Sequence, residues 1–266
     1  MLQENKLFNA TNLKLLACGL MFLDHIHEMF ALQGAPIWLT MLGRLVFPIF
    51  LFLAADSFYY TRNRKAYLTR LFLASCLMIL GTTLVTTIWP NDKIVLINNA
   101  FATFFMTGLY IKAIEDIKQG IQTKQTKAIV KGLGLALLPI LGAVIFLLAV
   151  PVVHQTLPHR LAVWAASFIS MIPNILLVEG GFFMVLLGIV FYFFREKRWV
   201  QMGALLAISA LSFVIDRGSV QWMMGFAVLP MALYNGQKGS GFKSFFYIFY
   251  PVHIFALYIL ATVLFG

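Results

Sequence analysis

The chain has 266 residues, of which 61% are hydrophobic and 11% charged, and its formal net charge at pH 7 is +10. Its mean hydropathy of +0.87 excludes a soluble globular domain, because so much apolar surface cannot be hidden from water. The cations stand in connections between apolar runs, which is typical of membrane proteins rather than of nucleic-acid binding. We therefore expect a multi-pass protein of the inner or plasma membrane, with the lipid bilayer as its surroundings.

Apolar segments follow one another along the whole chain. Because about 20 apolar residues cross a bilayer core of about 30 Å, they predict an all-α, polytopic helix bundle with a single domain over 1–266. The ten predicted segments are 13–32, 37–60, 67–89, 94–114, 128–153, 161–178, 180–194, 199–215, 219–235 and 244–265. The sixth and seventh are short and are interrupted by PN at 173–174 and EGG at 179–181.

The distribution of cations predicts the orientation. Arg62, Arg64 and Lys65 follow the second segment, whereas the connections QGAP at 33–36 and PNDK at 90–93 carry few cations. The positive-inside rule then puts the N-terminus in the cytoplasm. Two full crossings between 161 and 194 would move the following REKR string outside, so we expect one or two broken or re-entrant segments there.

The first segment, LKLLACGLMFLDHIHEMFAL, carries four ionisable residues in its second half: Asp24, His25, His27 and Glu28. On a helix, Asp24, His27 and Glu28 share one stripe, and His25 lies about 100° from Asp24. Ionisable groups cost at least a few kcal/mol each near the bilayer centre, so this face must point into the bundle. It predicts either a functional site or a buried hydrogen-bonded network that joins helices.

The second segment supplies a cation for this face. Arg44 and His25 are equally far from the QGAP turn, so an antiparallel hairpin places them at nearly equal depth, where Arg44 can reach Asp24 or Glu28. An ionised carboxylate could fix the tautomer of the His25 imidazole and raise its basicity. That arrangement is typical of a general base with its orienting acid.

Lys14 precedes His25 by 11 residues, which places both on one helix face about 16 Å apart along the axis. A cation at the cytoplasmic edge can hold the phosphates of a long acyl carrier such as coenzyme A. Arg62, Arg64 and Lys65 are further candidates for binding those phosphates. The alternatives are a snorkelling lysine and an ordinary cationic loop.

Four other residues are candidates for a site. His253 and Tyr250 lie near the middle of the last segment, with His253 at about the depth predicted for His25. Asp56 lies in the second segment, one turn before its end, and Glu179 is expected to face an interior site or the inner membrane surface. A metal site is not expected, because the histidines of the first segment point in different directions and no HExxH string or cysteine–histidine cluster occurs.

Three stretches carry a family resemblance: LKLLACGLMFLDHIHEMF, LGRLVFPIFLFLAADSFYYTRNRKAYLTRL and FFYIFYPVHIFALYIL. They resemble the TraX family of membrane acetyltransferases, whose namesake modifies pilin. The spacing of Lys14 and His25 also resembles the basic-x10-His pattern of transmembrane acyltransferases. Asp56 stands where the family pattern has Glu, and the middle of the chain is longer.

The resemblance implies an acyl-CoA-dependent O- or N-acetyltransferase. Acetyl-CoA would enter from the cytoplasm, and a cell-envelope glycan or peptide amine outside would receive the acetyl group. His25 would be the general base or a transient acyl carrier. A proton-coupled transporter is the alternative, since ionisable residues within the membrane and broken helices near 173–181 suit it as well.

Overall fold

The computed structural model describes residues 8–240 and 242–266, and no strand occurs among them. Its α-helices are α1 (Ala10–Phe30), α2 (Trp38–Gly43), α3 (Val46–Tyr60), α4 (Arg64–Ile88), α5 (Ala100–Thr123), α6 (Thr126–Thr156), α7 (His159–Ser170), α8 (Gly181–Phe193), α9 (Arg198–Ile215), α10 (Val228–Leu233) and α11 (Lys243–Phe265). Shorter 3-10 helices cover Ala31–Gln33, Ile175–Leu177 and Gln221–Ala227. The predicted all-α class is confirmed.

Within the described residues, six helical stretches are long and apolar enough to cross a membrane. They are Ala10–Gln33, Trp38–Tyr60, Arg64–Ile88, Thr126–Thr156, Arg198–Ile215 and Phe245–Phe265. Gly181–Phe193 and Gln221–Leu233 are shorter apolar helices. The chain is therefore a multi-pass membrane protein, and its succession of about ten apolar segments agrees with the sequence.

Two predicted segments differ from the structure by more than a few residues at one end or both. The fourth, 94–114, begins only at Ala100, because the side chain of Asn99 caps α5 by accepting a hydrogen bond from Ala102 N. The sixth, 161–178, is helical only to Ser170. Pro173 lacks an amide hydrogen and disfavours helical backbone at the preceding residue, which explains why the helix ends there.

Two compact units make up the chain. Unit 1 contains the described residues of 1–56 together with 88–95 and 193–266, and unit 2 contains 57–87 and 96–192. Each has its own buried side chains, which include Ile49 and Met224 in unit 1 and Ile111 in unit 2. The single domain predicted over the whole chain stays a prediction.

In unit 1, α1 packs against α2 and α11. The break between α2 and α3 falls at residues 44–45. Pro48 explains this break, since a proline removes the hydrogen bond to the carbonyl four residues earlier, here that of Arg44, and its ring crowds that carbonyl. The start of α1 is tied to the chain before α11, where Ala10 N donates to Gln237 O at 2.8 Å.

In unit 2, α5 and α6 form an antiparallel hairpin with a two-residue connection, Lys124 and Gln125. Lys124 closes the turn in the left-handed conformation, with φ at 55°. Gly132 of α6 lets the helices approach closely, because a Cβ there would lie 2.7 Å from the carbonyl oxygen of Ala113.

The course of α8 follows from its contacts with α5. Glu179, just before α8, accepts a hydrogen bond at 2.8 Å from the amide of Asn99 at the start of α5. Near the end of α8, the hydroxyl of Tyr192 donates to Glu115 at 2.5 Å, far along α5. The two helices therefore run in the same direction, and α8 ends on the side of unit 2 that carries Arg64, which also contacts Glu115.

Helix α7 and residues 171–180 make no net crossing. Because α6 runs antiparallel to α5, it returns the chain to the end of unit 2 where α5 begins, and α8 begins at that same end. The intervening segment enters the unit, where the carbonyl of Pro173 packs against Gly142 of α6, and then returns. This is the broken, re-entrant segment that the sequence predicts.

Candidate functional site

Two histidines meet between the first and the last helix of unit 1. His25 of α1 and His253 of α11 are 5% and 6% exposed. His25 Nδ1 lies 2.7 Å from His253 Nε2, and His253 Nδ1 lies 2.6 Å from the carbonyl oxygen of Phe249. The structure therefore joins two imidazole rings and one backbone carbonyl in a line of hydrogen bonds, and His253 lies at the depth of His25 as predicted.

The carbonyl at one end of this line fixes the direction of the hydrogen bonds. A carbonyl oxygen only accepts, so His253 Nδ1 must carry a hydrogen and donate it. In a neutral ring His253 Nε2 then accepts, and His25 Nδ1 donates to it. His25 Nε2 is consequently the nitrogen that can take up a proton.

Glu28 lies next to His25 Nε2, the nitrogen that would be protonated. Its Oε2 is 3.5 Å from His25 Nε2, one helical turn along α1, and its side chain keeps 32% of its surface exposed. A carboxylate at this distance stabilises the imidazolium that forms when His25 gains a proton. The sequence predicts a carboxylate as the group that fixes the His25 tautomer, whereas the structure gives this role to His253.

Asp24 and Arg44 form an ion pair beside the histidines. Arg44 Nη2 donates to both carboxylate oxygens of Asp24, at 2.8 and 3.0 Å. The Thr40 hydroxyl donates to the same carboxylate at 2.5 Å, and Arg44 Nη1 donates to Gln221 at 3.1 Å. Of the two acids predicted as partners of Arg44, the structure therefore selects Asp24.

The local sequence around Arg44 makes this pair possible. A Cβ at Gly43 would overlap the Asp24 carboxylate, so only glycine lets the acid approach α2. The break after Gly43 leaves Arg44 in helical conformation at the C-cap of α2, one turn after Thr40. Thr40 and Arg44 therefore share one face and hold Asp24 together.

Aromatic rings enclose His253. The Phe249 ring stacks on it with centroids 4.5 Å apart, and the predicted site residue Tyr250 meets it edge-on at 6.2 Å. Phe22 of α1 lies at 6.3 Å. Tyr250 therefore forms part of the wall around the histidine pair.

Two other predicted site residues have contacts of their own in the structure. His27 Nδ1 pairs with the carbonyl oxygen of Ala35 at 3.0 Å, which ties α1 to the turn that follows it. Glu179 lies in unit 2, where it accepts from Asn99 N and its carbonyl accepts from Thr103. Neither contact involves His25, so the contacts of both residues are explained by a structural role in holding the fold together.

A group of cations surrounds Asp56 in unit 1. The Asp56 carboxylate accepts from the Tyr234 hydroxyl at 3.1 Å and lies in the electric field of Arg198, Arg195 and Lys14. The ammonium of Lys14 also lies 5.6 Å above the Phe246 ring. Arg195 also pairs with Glu196 at 2.9 Å, so Lys14 and Arg198 beside one acid leave a positive local balance, which favours an anion.

Arg64 is engaged inside unit 2. Its guanidinium donates to Glu115 and, at 2.8 Å, to the hydroxyl of Tyr192, and it lies 5.0 Å from the Phe58 ring centroid. These contacts account for Arg64 as a link between α4, α5 and α8, so the predicted phosphate role fits it poorly. Arg62 and Lys65 are exposed.

Sequence reasoning missed several residues that hold the site. Thr40 could be found, because it precedes Arg44 by one turn and is polar in an apolar run. Gln221 and Arg198 gave no such signal, since their partners lie far away in the chain: Arg198 donates to the carbonyls of Met231 and Tyr234. Among the described residues there is no group of three side chains that could hold a metal ion.

Comparisons with known proteins give one family profile and one similar relative. The family profile described as TraX protein matches residues 9–261. The chain is 25% identical over 264 residues to the "Probable fimbrial assembly protein FimC, serogroup H1" of Dichelobacter nodosus, and the alignment covers 93% of each chain. No solved structure matches significantly.

Proposed function

We propose an acetyl-transfer function for this chain, which belongs to the TraX family. It would be an integral membrane acetyltransferase that moves an acetyl group from cytoplasmic acetyl-CoA to an extracytoplasmic acceptor. The observation that carries the proposal is the line from the Phe249 carbonyl through His253 to His25. It presents one basic imidazole nitrogen inside an apolar bundle, beside a carboxylate.

His25 Nε2 acts as the general base. It takes the proton from the acceptor hydroxyl or amine while the acceptor oxygen or nitrogen attacks the carbonyl carbon of the acetyl thioester. The C–S bond breaks, the sulfur of coenzyme A leaves with the electron pair, and the imidazolium returns the proton to it. Glu28 and His253 stabilise the imidazolium between these two steps.

The donor binds through cations on the predicted cytoplasmic side. Lys14 is one carrier length, about 16 Å along α1, from His25, and Arg195 shares its field around Asp56. Arg62 and Lys65 belong to unit 2 and are exposed, and their role in binding the phosphates stays a prediction from the sequence. The phosphates of coenzyme A need such cations, and the apolar helix between Lys14 and His25 suits its less polar arm.

The acceptor belongs to the cell envelope. The relative from Dichelobacter nodosus is named as a probable fimbrial assembly protein, which supports a surface-exposed peptide amine or a glycan as acceptor. Transfer to either needs the same deprotonation by His25.

The test is acetyl transfer by purified protein given labelled acetyl-CoA and cell-envelope extract. His25→Ala should lower turnover by about 10²- to 10⁴-fold and leave the affinity for coenzyme A nearly unchanged, because the base acts on the acceptor. Lys14→Ala should instead weaken donor binding. His154→Ala, which changes an exposed histidine of unit 2, is the control. Unchanged turnover in His25→Ala would refute the base assignment.

The same line of hydrogen bonds also suits a second function, a proton-coupled transporter. Two adjacent imidazoles and Glu28 could pass a proton along unit 1. In that case liposomes would show substrate-driven proton flux that His25→Ala and His253→Ala both abolish, and the protein would bind no acyl-CoA. Acetyl-CoA binding without proton flux favours the transferase.

A further inference from the structure

The turn between α5 and α6 in unit 2 carries a cluster of lysines that the acetyl-transfer proposal does not use. Residues 118–131, which comprise the last turns of α5, the two-residue connection and the first turns of α6, are called the hairpin tip below. Its cations are Lys118, Lys124, Lys127 and Lys131, and no acidic residue occurs between 117 and 178. Four lysines and no acid give the hairpin tip a charge of +4.

The acids that precede the tip on α5 are paired within unit 2. Glu115 pairs with Arg64. Asp116, which is 5% exposed, pairs with Lys112 and, at 3.2 Å, with Lys131. The Lys131 side chain nevertheless keeps 63% of its surface exposed. One carboxylate between two ammonium groups offsets only one of them, so these pairs leave most of the positive charge of the tip in place.

The length of α6 places the hairpin tip at the level of the lipid headgroups. Residues 133–153 carry no charged side chain, and at 1.5 Å per residue they span about 31 Å, which matches a hydrocarbon core of about 30 Å. Lys131 and Lys127 then lie about 3 and 9 Å beyond the core. Because the headgroup layer on each side is roughly 5–8 Å thick, their ammonium groups lie at or beside the lipid phosphates.

The end of α5 reaches the same level. Asp116 contacts Lys131 across the hairpin, so Lys118, two residues further along an antiparallel helix, lies between the levels of Lys131 and Lys127. The two helices are close-packed here, because a Cβ at Gly120 would lie 2.8 Å from a backbone nitrogen of α6. The lysines of both helices therefore form one layer at the headgroups.

Exposed apolar side chains stand among these lysines. Ile121 of α5 and Val130 of α6 keep 63% and 61% of their surface exposed. Cations interleaved with apolar side chains are typical of helices that contact the membrane interface. A soluble phosphate matches only the cations. A phospholipid offers a phosphate to the lysines and acyl chains to the two apolar side chains.

The spacing of the lysines on α6 also favours an anionic partner. Lys127 and Lys131 are one turn apart and share a helix face, where two like charges destabilise a helix. An anion beside both ammonium groups would remove this repulsion. A phosphodiester carries one such charge, and it lies at the right depth in either leaflet.

We infer that the hairpin tip binds anionic phospholipids, with Lys118, Lys124, Lys127 and Lys131 around their phosphates. Four or more cations directly beside a membrane-spanning helix are typical of a surface for anionic lipids. In the predicted orientation this surface faces the cytoplasmic leaflet. The inference does not rest on acetyl transfer, because lipid binding at the tip needs neither His25 nor acetyl-CoA.

The test measures which lipids the full chain retains from nanodiscs that contain phosphatidylcholine and phosphatidylglycerol in equal amounts. Native mass spectrometry counts the lipids of each kind that stay bound when the nanodisc is removed. We expect a preference for phosphatidylglycerol. The double variant Lys124→Gln with Lys127→Gln should reduce this preference by about 5- to 25-fold, since each cation at a membrane surface contributes a factor of about 5.

A matched control separates the tip from the net charge of the protein. Arg160→Gln with Arg217→Gln removes two positive charges from exposed positions outside the tip, and it should leave the preference as in wild type. The melting temperature of each variant reports on folding. Glycerol phosphate, which has the headgroup charge without acyl chains, should not displace phosphatidylglycerol at millimolar concentration.

Three results would overturn the inference. The first is equal retention of the two lipids by wild type. The second is a folded Lys124→Gln, Lys127→Gln variant that keeps the preference, or loses no more of it than the control does. The third is displacement of phosphatidylglycerol by glycerol phosphate or by coenzyme A, which would identify the tip as a site for soluble phosphates instead.

Discussion

Replacement of Arg44 by leucine tests how the ionisable face of α1 is stabilised. Arg44 makes two hydrogen bonds to the Asp24 carboxylate and one to Gln221. Leucine removes them all and leaves Asp24 with the hydroxyl of Thr40 as its described side-chain partner. The variant therefore places a carboxylate without a counter-ion inside an apolar bundle.

The expected loss of stability follows from the exposure of the pair. Removing one partner of a fully buried ion pair costs about 3–5 kcal/mol, and an exposed pair contributes about 0–1 kcal/mol. The side chains of Arg44 and Asp24 keep 30% and 17% of their surface exposed, so solvent screens them in part. We expect Arg44→Leu to lower the free energy of unfolding by about 2–3 kcal/mol.

The assay is a reversible unfolding titration of purified protein in mixed micelles. Arg44→Lys should recover only part of the loss, because an ammonium lacks the paired geometry of a guanidinium. The double variant Arg44→Leu with Asp24→Asn should lose about 1–3 kcal/mol less free energy of unfolding than the two single variants lose together. The reason is that the double variant leaves no charge without a partner. Arg62→Leu, at an exposed position of unit 2, is the control and should change the free energy by at most about 0.5 kcal/mol.

Two results would refute this reasoning. One is a loss in Arg44→Leu no larger than that in the control. The other is simple additivity in the double variant, which would mean that Arg44 and Asp24 do not depend on each other.

Three more changes test separate parts of the fold. Gly43→Ala should cost about 1–3 kcal/mol in the same titration, because its Cβ would overlap a carboxylate, whereas Gly19→Ala, where a Cβ meets nothing within 4 Å, should be neutral or stabilising. The pKa of Asp116 lies below its ordinary value, because burial raises it but two lysine ammonium groups more than offset that effect. The contribution of Asp116 to the free energy of unfolding is therefore full above about pH 5 and is lost as pH falls through the lowered pKa. Asp116→Asn should make the free energy of unfolding less dependent on pH in this acidic range. An impermeant thiol reagent should label Gln33→Cys in intact cells and Asn63→Cys only after the cells are opened; the opposite pattern would reverse the predicted orientation.

Many of the helices could be predicted, because the length of an apolar run in the sequence is enough to identify a membrane-spanning helix. The segments that became α1, α4, α6 and α11 are long enough that only their ends needed local signals, and those ends moved by a few residues. The positive-inside rule identified the anomaly between 161 and 194. It could not place Pro173 against Gly142, because that contact depends on packing between helices rather than on a pattern within one.

The contacts of the candidate site also fall into those that the sequence predicts and those that it does not. The Asp24–Arg44 pair could be predicted from equal distances to one short turn, because a hairpin keeps sequence neighbours together. The contact of His25 with His253 spans 228 positions, and the sequence indicated only that both lie at similar depth. The direction of the hydrogen bonds could not be predicted at all, since it depends on the Phe249 carbonyl, which every residue possesses.

That carbonyl connects the fold of unit 1 with its proposed chemistry. A neutral histidine pair has several possible tautomers, and a pair without an anchor would divide its population among them. Because a carbonyl oxygen accepts and never donates, its contact with His253 Nδ1 leaves one neutral arrangement in which both hydrogen bonds are made. The basic nitrogen of His25 then always faces Glu28 rather than His253. In the proposed reaction His253 would therefore be a positioning residue, and His253→Phe should lower turnover through the loss of this orientation, while donor affinity stays as in wild type.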